Sequence, residues 1–178
     1  MLKKILIGLA VLAVILFVAY QVLKSKTKSS SPEVKQTYSV GTAKIDLFYC
    51  SPSKKGREIF GGIIKYGEVW RTGANEPTTF TTDKNLVIDG KKLPAGKYSL
   101  WTIPQQNNWT VIFNKEIPFW GDNTDGKAAR NAKEDIFQLS VPVEKLMNSQ
   151  EKLSIDAQNN ALTIIWDTTK VSVPMVVE

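Results

Sequence analysis

The chain has 178 residues, with 23 basic and 17 acidic side chains, one cysteine and no histidine. That length suits a single domain with a sizeable hydrophobic core. The absence of histidine excludes Ser-His-Asp and Cys-His catalysis, and a single cysteine excludes an intramolecular disulfide and a cysteine-based metal cluster. Any chemistry must therefore use carboxylates, lysine, arginine, tyrosine, asparagine or backbone groups.

The net charge of +6 is concentrated at the N-terminus. Five lysines precede residue 29, so residues 29–178 hold 18 basic against 17 acidic side chains and are nearly neutral. A basic stripe with interleaved aromatic residues, typical of nucleic-acid binding, is missing. We therefore predict no nucleic-acid partner. The five lysines are interpreted as signals of membrane topology: Lys3, Lys4, Lys24, Lys26 and Lys28.

An uncharged apolar run occupies residues 5–23, after a short tail at residues 1–4. As a helix this run spans about 28 Å, close to the ~30 Å hydrocarbon core of a bilayer. We predict that it contacts the membrane as an uncleaved single-span anchor. A cleaved signal peptide is the alternative. Cleavage after Ala19 is disfavoured, because it would place the bulky Phe17 at the −3 position, where a small residue is preferred. A buried helix is disfavoured because lysines flank both ends.

The lysines on the two flanks of this anchor nearly balance, so the positive-inside rule does not set its orientation. Long domains translocate despite their charge. We therefore expect a single-pass cell-membrane protein whose C-terminal domain lies on the periplasmic or outer side. Residues 24–36 are polar and are predicted to be a flexible tether before a domain at residues 37–178.

From residue 37 onwards the hydrophobic period is mostly that of β-strands. Tight turns separate the alternating segments at Asp89-Gly90, residues 93–96 and Asn159-Asn160. Only residues 127–135 are compatible with a helix. The pattern predicts an all-β fold, an antiparallel β-sandwich or flattened barrel preceded by one N-terminal transmembrane helix. The alternating segments are residues 45–49, 86–88, 98–103, 109–113, 137–141, 153–155, 162–166 and 171–176.

Residues 49–77 are too irregular in hydrophobic period to form one helix or one strand. They are rich in glycine, which permits positive φ and close backbone approach, and they hold two arginines and three glutamates. Such loops on a regular scaffold often carry binding sites. A second long loop, at residues 115–134, contains Pro118-Phe119-Trp120-Gly121.

Four segments of the chain resemble one protein family. They are Gly-Arg-Glu-Ile-Phe-Gly-Gly at residues 56–62, Tyr-Gly-Glu-Val-Trp-Arg-Thr-Gly-Ala-Asn-Glu at 66–76, Leu-Pro-Ala-Gly-Lys-Tyr-Ser-Leu at 93–100 and Trp-Thr-Val-Ile-Phe-Asn at 109–114. Together they resemble the DUF2911 family, which consists of bacterial, largely Bacteroidetes, proteins of unassigned function. The resemblance covers about residues 38–177. It implies an all-β domain in envelope-directed proteins and supplies no catalytic residue; members are often secreted, whereas this chain has the features of an anchored protein.

The two arginines of the irregular stretch, Arg57 and Arg71, are candidate ligand contacts. A guanidinium offers five donors in a rigid fork, which suits an anion or a sugar. Alternatively, these arginines pair with Glu58, Glu68 or Glu76 and tie the loops to the sheet. We expect Arg71 to be structural and Arg57 to lie nearer the ligand.

Asn75 is a further candidate, because its amide can read a ligand hydroxyl or hydrogen-bond the loop backbone. Trp120, on the second loop, is expected to form a wall of the site, whereas Trp70, Trp101 and Trp109 are expected in the core. The complete set of candidate ligand-binding residues is Arg57, Glu58, Arg71, Asn75, Glu76 and Trp120.

Two functions remain open. The first is a membrane-anchored envelope domain that binds a glycan, a peptide or a partner protein through the surface at residues 57–76. The alternative is a carboxylate-dependent hydrolase of a carbohydrate or small metabolite, with Glu58 and Glu76 about 5–9 Å apart. Residues 122–126 lack the ligand spacing and later glutamate of a calcium loop, so we predict no metal and no cofactor.

Overall fold

The computed structural model describes residues 2–178, apart from the side chains at positions 2, 23 and 24. Met1 of the predicted tail and the side chain of Lys24, one of the predicted topology signals, lie outside the described residues. The chain divides into two compact units at the junction between Ser30 and Ser31. Each unit is described by itself.

The first unit is one helix, α1 (Leu2–Ser30). Among the described residues it is the one helix long and apolar enough to cross a membrane, a property that an N-terminal signal sequence shares. Residues 24–30, expected to begin the tether, continue this helix. Lysine is a good helix former, and Lys28 in the last turn complements the helix dipole.

The second unit is built from nine strands. They are β1 (Glu33–Val40), β2 (Ala43–Cys50), β3 (Thr78–Thr82), β4 (Leu86–Ile88), β5 (Lys91–Leu93), β6 (Gly96–Ile103), β7 (Asn108–Asn114), β8 (Asp135–Asp156) and β9 (Ala161–Val177). They form one antiparallel sheet in the order β1-β2-β3-β6-β7-β8-β9-β4-β5. The predicted all-β fold is confirmed, and the open sheet is consistent with a sandwich or flattened barrel.

The two longest strands, β8 with 22 residues and β9 with 17, were each predicted as two shorter ones. In the structure each of these pairs of predicted segments is one continuous strand. Shifts in the β8–β9 register around Gln150 mark bulges in the pairing. A bulge bends its strand and increases the local twist. The first half of β8 pairs with β7, whereas its second half approaches the end of β2, where the Ser51 hydroxyl donates to the Leu153 carbonyl at 2.6 Å.

Two predicted turns are confirmed. Asp89-Gly90 joins β4 to β5 with φ of 46° and 77°, and Asn159-Asn160 joins β8 to β9 with φ of 52° and 56°. Both pairs adopt the left-handed conformation that a two-residue hairpin turn requires. The predicted helix at residues 127–135 is wrong. Within this range the structure has a single 3₁₀ turn, Ala132–Glu134, and Asp135 is already extended and begins β8.

The centre of the core is aromatic. Phe60 meets Trp109 edge to face with 4.7 Å between ring centroids, and Trp70 stacks on Trp166 at 6.0 Å. Trp101 and Trp109 are 0% and 2% exposed, so the predicted core tryptophans are confirmed. Phe60 and Trp70 belong to the irregular stretch between β2 and β3, which is therefore fixed to the core by two of its own rings.

Candidate functional site

Arg57 and Glu58 lie exposed on a turn that follows β2. Arg57 donates from Nε to the Lys54 carbonyl at 2.9 Å and from Nη2 to the Ser53 carbonyl at 2.8 Å. The Lys54 amide in turn donates to the carbonyl of Glu151 on β8 at 2.7 Å. The Arg57 guanidinium therefore stabilises its own turn where that turn contacts β8.

The segment that carries Arg71 and Asn75 contacts the loop that carries Trp120. Gly121, directly after Trp120, donates its N–H to the Asn75 carbonyl at 2.9 Å. Arg71 Nη1 forms a salt bridge with Asp122 Oδ2. We name the group Arg71, Asn75, Gly121 and Asp122 the Arg71 cluster.

The salt-bridge partner of Arg71 is a correction. We expected Glu58, Glu68 or Glu76, but the partner is Asp122, which lies 51 positions along the chain on the other long loop. The side chain of Arg71 is 22% exposed and that of Asp122 is 34% exposed. The bridge is therefore only partly shielded from water, and it joins two loops rather than a loop and the sheet.

Glycine at position 121 is required by close packing. A Cβ there would lie 2.0 Å from Arg71 Cδ and 2.8 Å from the Asn75 carbonyl oxygen. A side chain at this position would separate the two loops. The Arg71 cluster therefore depends on a residue that we did not consider, and its signal in the sequence is a glycine directly after two consecutive aromatic residues.

The backbone that connects Arg71 to Asn75 has two residues with positive φ. Thr72 and Asn75 have φ of 54° and 62°. This left-handed conformation is strained for a β-branched residue such as Thr72, whereas asparagine adopts it more readily. The strained segment is held by the Thr78 hydroxyl, which donates to the Thr72 carbonyl at 2.7 Å, and by Trp70 Nε1, which donates to the Gly73 carbonyl at 2.9 Å. Strain of this kind clusters at functional sites, where the surrounding structure maintains it.

Two polar atoms in the Arg71 cluster, Arg71 Nε and Asn75 Nδ2, are buried without a hydrogen-bond partner among the described residues. An unsatisfied buried donor costs about 1–3 kcal/mol, so such atoms need an explanation. They mark the Arg71 cluster as a buried polar region in which two donors stay unsatisfied. Asn75 is 7% exposed, which places its side chain beneath that surface.

Glu76 faces a buried thiol. Cys50 is 0% exposed, and its Sγ lies 3.5 Å from Glu76 Oε2. Glu58 lies instead on the exposed turn that follows β2. These different surroundings do not favour Glu58 and Glu76 as a pair of catalytic carboxylates.

The loop beside the Arg71 cluster presents apolar side chains to solvent. We name residues 117–120, Ile-Pro-Phe-Trp, the aromatic loop. Phe119 is 75% exposed, Ile117 is 38% exposed and Trp120 is half-buried. The backbone before this loop is fixed, because the Ser99 hydroxyl donates to the Glu116 carbonyl at 2.6 Å. Exposed aromatic side chains on a fixed backbone are typical of an interaction surface.

A largely buried ion pair lies at the far end of the same long loop. Arg130 donates from Nε and Nη2 to the two carboxylate oxygens of Asp135, at 3.0 and 2.7 Å. The two side chains are 11% and 10% exposed. Burial acts to raise the pKa of Asp135, but hydrogen bonds from Arg130, Asn114 and Gln138 outweigh burial and hold that pKa below its usual value.

This arrangement predicts a pH dependence of stability. A carboxylate with a lowered pKa in the folded state stabilises the fold above its unfolded pKa of about 3.9, and the contribution is lost as the pH falls through the folded value. We expect Asp135→Asn to be less stable than the wild type at neutral pH and to lose less stability on acidification. Urea midpoints measured from neutral pH down to about pH 3 test this. A stability difference that stays constant over that range would contradict it.

The structure thus defines a class of protein: an open antiparallel β-domain that follows an apolar helix and carries two interlocked surface loops. A family model described as "Protein of unknown function (DUF2911)" matches residues 31–175. The chain therefore belongs to the DUF2911 family, as its motifs predicted. Comparison with curated proteins and with solved structures found no match.

Proposed function

We propose that this protein is a membrane-anchored module of the cell envelope that binds a partner through the surface at residues 57–76 and the adjoining aromatic loop. The observation that supports this is Phe119, which is 75% exposed on a loop whose backbone is fixed by the Arg71 cluster. Rigid aromatic side chains contribute large contact areas at little entropic cost, and they are enriched at interfaces.

The partner is a glycan, a peptide or a protein, and the chemistry of the aromatic loop favours a peptide or protein. Ile117 and Phe119 offer aliphatic and aromatic surface together. Arg71 Nη1 is bound to Asp122, and Asn75 Nδ2 is buried. Few donors of the Arg71 cluster therefore remain to read sugar hydroxyls.

A photo-crosslinking amino acid placed at position 119 in living cells tests the binding surface. We expect an adduct of defined mass at position 119 and none at position 147, where Met147 is fully exposed at 101% but lies on β8. The adduct should also disappear in the Gly121→Ala background, since that change displaces the aromatic loop. Equal labelling at both positions, or none at position 119, would contradict the proposal.

The location of the domain is part of this proposal. Because residues 5–23 carry no charge and have lysines on both flanks, we propose that α1 is an uncleaved anchor and that residues 31–178 lie on the periplasmic or outer side. The protein should then stay in the membrane fraction after high-salt washing, with its domain open to protease in spheroplasts. A soluble form that begins after Ala19 would overturn the anchor, and protection from protease would reverse the orientation.

A further inference from the structure

A concave surface of about 610 Å³ lies at the connection between β6 and β7. Small-molecule sites commonly measure about 300–1,000 Å³. We name this surface the amide groove, because four consecutive carboxamides, residues 105–108 (Gln-Gln-Asn-Asn), line it. The hydroxyls of Thr110 and Ser140 and the aromatic residues Tyr66 and Trp109 complete the lining. None of these residues belongs to the Arg71 cluster or the aromatic loop.

The amide groove is held on both sides by backbone hydrogen bonds. The Gly67 amide donates to the Pro104 carbonyl at 2.9 Å, and the Val143 amide donates to the Asn107 carbonyl at 2.8 Å. Thr110 and Ser140 are direct cross-strand partners on β7 and β8. The exposed carboxamides therefore stand on a backbone that is fixed before any ligand arrives, which lowers the entropic cost of binding.

Tyr66 gives the amide groove an aromatic surface in a fixed position. Its ring packs so closely on Gly61 that a Cβ there would lie 2.8 Å from Tyr66 Cε2. The ring is only half-buried and also packs against the core. An aromatic ring with one exposed face can contact the apolar face of a ring-shaped ligand while its hydroxyl stays in water.

The chemistry of the lining is uncharged throughout. Charged residues make up 22% of the chain, yet none of the residues that line the amide groove carries a charge. A carboxamide offers both donors and an acceptor, and a hydroxyl group offers both as well. This pattern matches a ligand whose own groups donate and accept at once. An ionic ligand would find no opposite charge among the lining residues.

We propose that the amide groove binds a neutral oligosaccharide. Sugar hydroxyls match the carboxamides of residues 105–108 and the hydroxyls of Thr110 and Ser140, and the Tyr66 ring contacts a sugar face. This site does not depend on the partner proposed for the aromatic loop, because the amide groove shares no residue with that loop and shares only Tyr66 with the surface at residues 57–76.

The test uses the full chain in a sugar-free zwitterionic detergent, since alkyl glycosides would compete for the site. The probes are neutral oligosaccharides of glucose, mannose, xylose, galactose and N-acetylglucosamine, and oligogalacturonate serves as the anionic comparison. Saturation-transfer NMR detects binding, and calorimetric titration measures its strength. We expect at least one neutral probe to bind with a Kd of about 1 mM or tighter, and oligogalacturonate to bind more weakly.

Matched variants locate the site. Gln106→Ala combined with Asn107→Ala should weaken the bound probe about tenfold or more, because each lost carboxamide removes a hydrogen bond to the sugar. Asn148→Ala combined with Gln158→Ala removes two exposed amides from β8 and the β8–β9 turn, and it should leave the affinity unchanged. The thermal midpoint of each variant should match that of the wild type.

Three results would overturn this proposal. The first is the absence of binding by every neutral probe at millimolar concentration, and the second is tighter binding of oligogalacturonate than of any neutral probe. The third is sugar binding that survives in the groove variant but is lost in Phe119→Ala. That third result would place the sugar on the aromatic loop, so the groove would be rejected while the proposed function would stand.

Discussion

Phe60→Ala is expected to lower the free energy of unfolding by about 3–5 kcal/mol, the usual cost of deleting a buried aromatic side chain. Phe60 is 8% exposed and lies edge to face with Trp109, Trp70 and Trp166, at 4.7, 5.9 and 6.2 Å between centroids. Edge-to-face pairs add about 0.5–1.5 kcal/mol beyond the burial of area. The cavity would lie where the irregular stretch joins the core, so that stretch should loosen with it.

Urea unfolding of residues 31–178, which form a compact unit, measures this effect through tryptophan fluorescence. Phe119→Ala is the matched control, because the same atoms are removed from a side chain that is 75% exposed. It should change stability by no more than about 0.5 kcal/mol. A total stability of about 5–15 kcal/mol makes the loss at Phe60 readily measurable. Equal losses in the two variants would show that Phe60 does not anchor the stretch.

The strand pattern could be predicted because the alternation of apolar and polar residues shows which face of a strand is buried. In β2, Ile45, Leu47 and Tyr49 are 0%, 2% and 4% exposed, as their period of two requires. The lengths of β8 and β9 could not be predicted in the same way. The bulges around Gln150 break the alternation without ending the strand, so one bent strand has the sequence pattern of two.

The contacts of the Arg71 cluster lie beyond sequence reasoning for a different reason. Arg71 and Asp122 are 51 positions apart on loops, and a salt bridge between two loops leaves no periodic signal. The irregular stretch itself was recognised through its glycines, yet the glycine that joins the two loops is Gly121, outside that stretch. The amide groove could likewise not be predicted from the sequence, because residues 105–108 have the composition of an ordinary turn. The ligand-binding roles of Arg57, Glu58, Arg71, Asn75, Glu76 and Trp120 stay predictions.

Gly121→Ala is expected to cost about 3 kcal/mol, at the upper end of the usual range for overpacking. The new Cβ would lie 2.0 Å from Arg71 Cδ, and the arginine side chain can move away only by breaking its bridge to Asp122. The second contact, 2.8 Å from the Asn75 carbonyl oxygen, involves backbone that also accepts the Gly121 N–H and cannot rotate away.

Arg71→Ala alone should cost less, about 1–3 kcal/mol. Breaking a fully buried ion pair costs about 3–5 kcal/mol, whereas an exposed pair contributes about 0–1 kcal/mol. This bridge lies between those limits, because Asp122 is 34% exposed and water can solvate its carboxylate once the guanidinium is gone. The truncation also removes the buried Nε that has no hydrogen-bond partner among the described residues, which offsets part of the loss.

The double variant Arg71→Ala/Gly121→Ala distinguishes a packing role of Arg71 from a purely ionic one. If the new Cβ meets the arginine stem, truncating residue 71 to alanine relieves the closest contact. It leaves the contacts with the Asn75 carbonyl oxygen at 2.8 Å and with the Cβ of residue 71 at 3.0 Å. The double variant should then be more stable than the sum of the single losses predicts, by about 1 kcal/mol or more, the coupling expected of residues in contact.

Gly126→Ala is the control from the same loop, because its Cβ would meet nothing within 4 Å. Its cost, which arises from a φ of 79°, should add to that of Arg71→Ala without coupling. Additive losses at Arg71 and Gly121 would show that the two residues are not coupled. The Arg71 cluster would then not hold the aromatic loop in place.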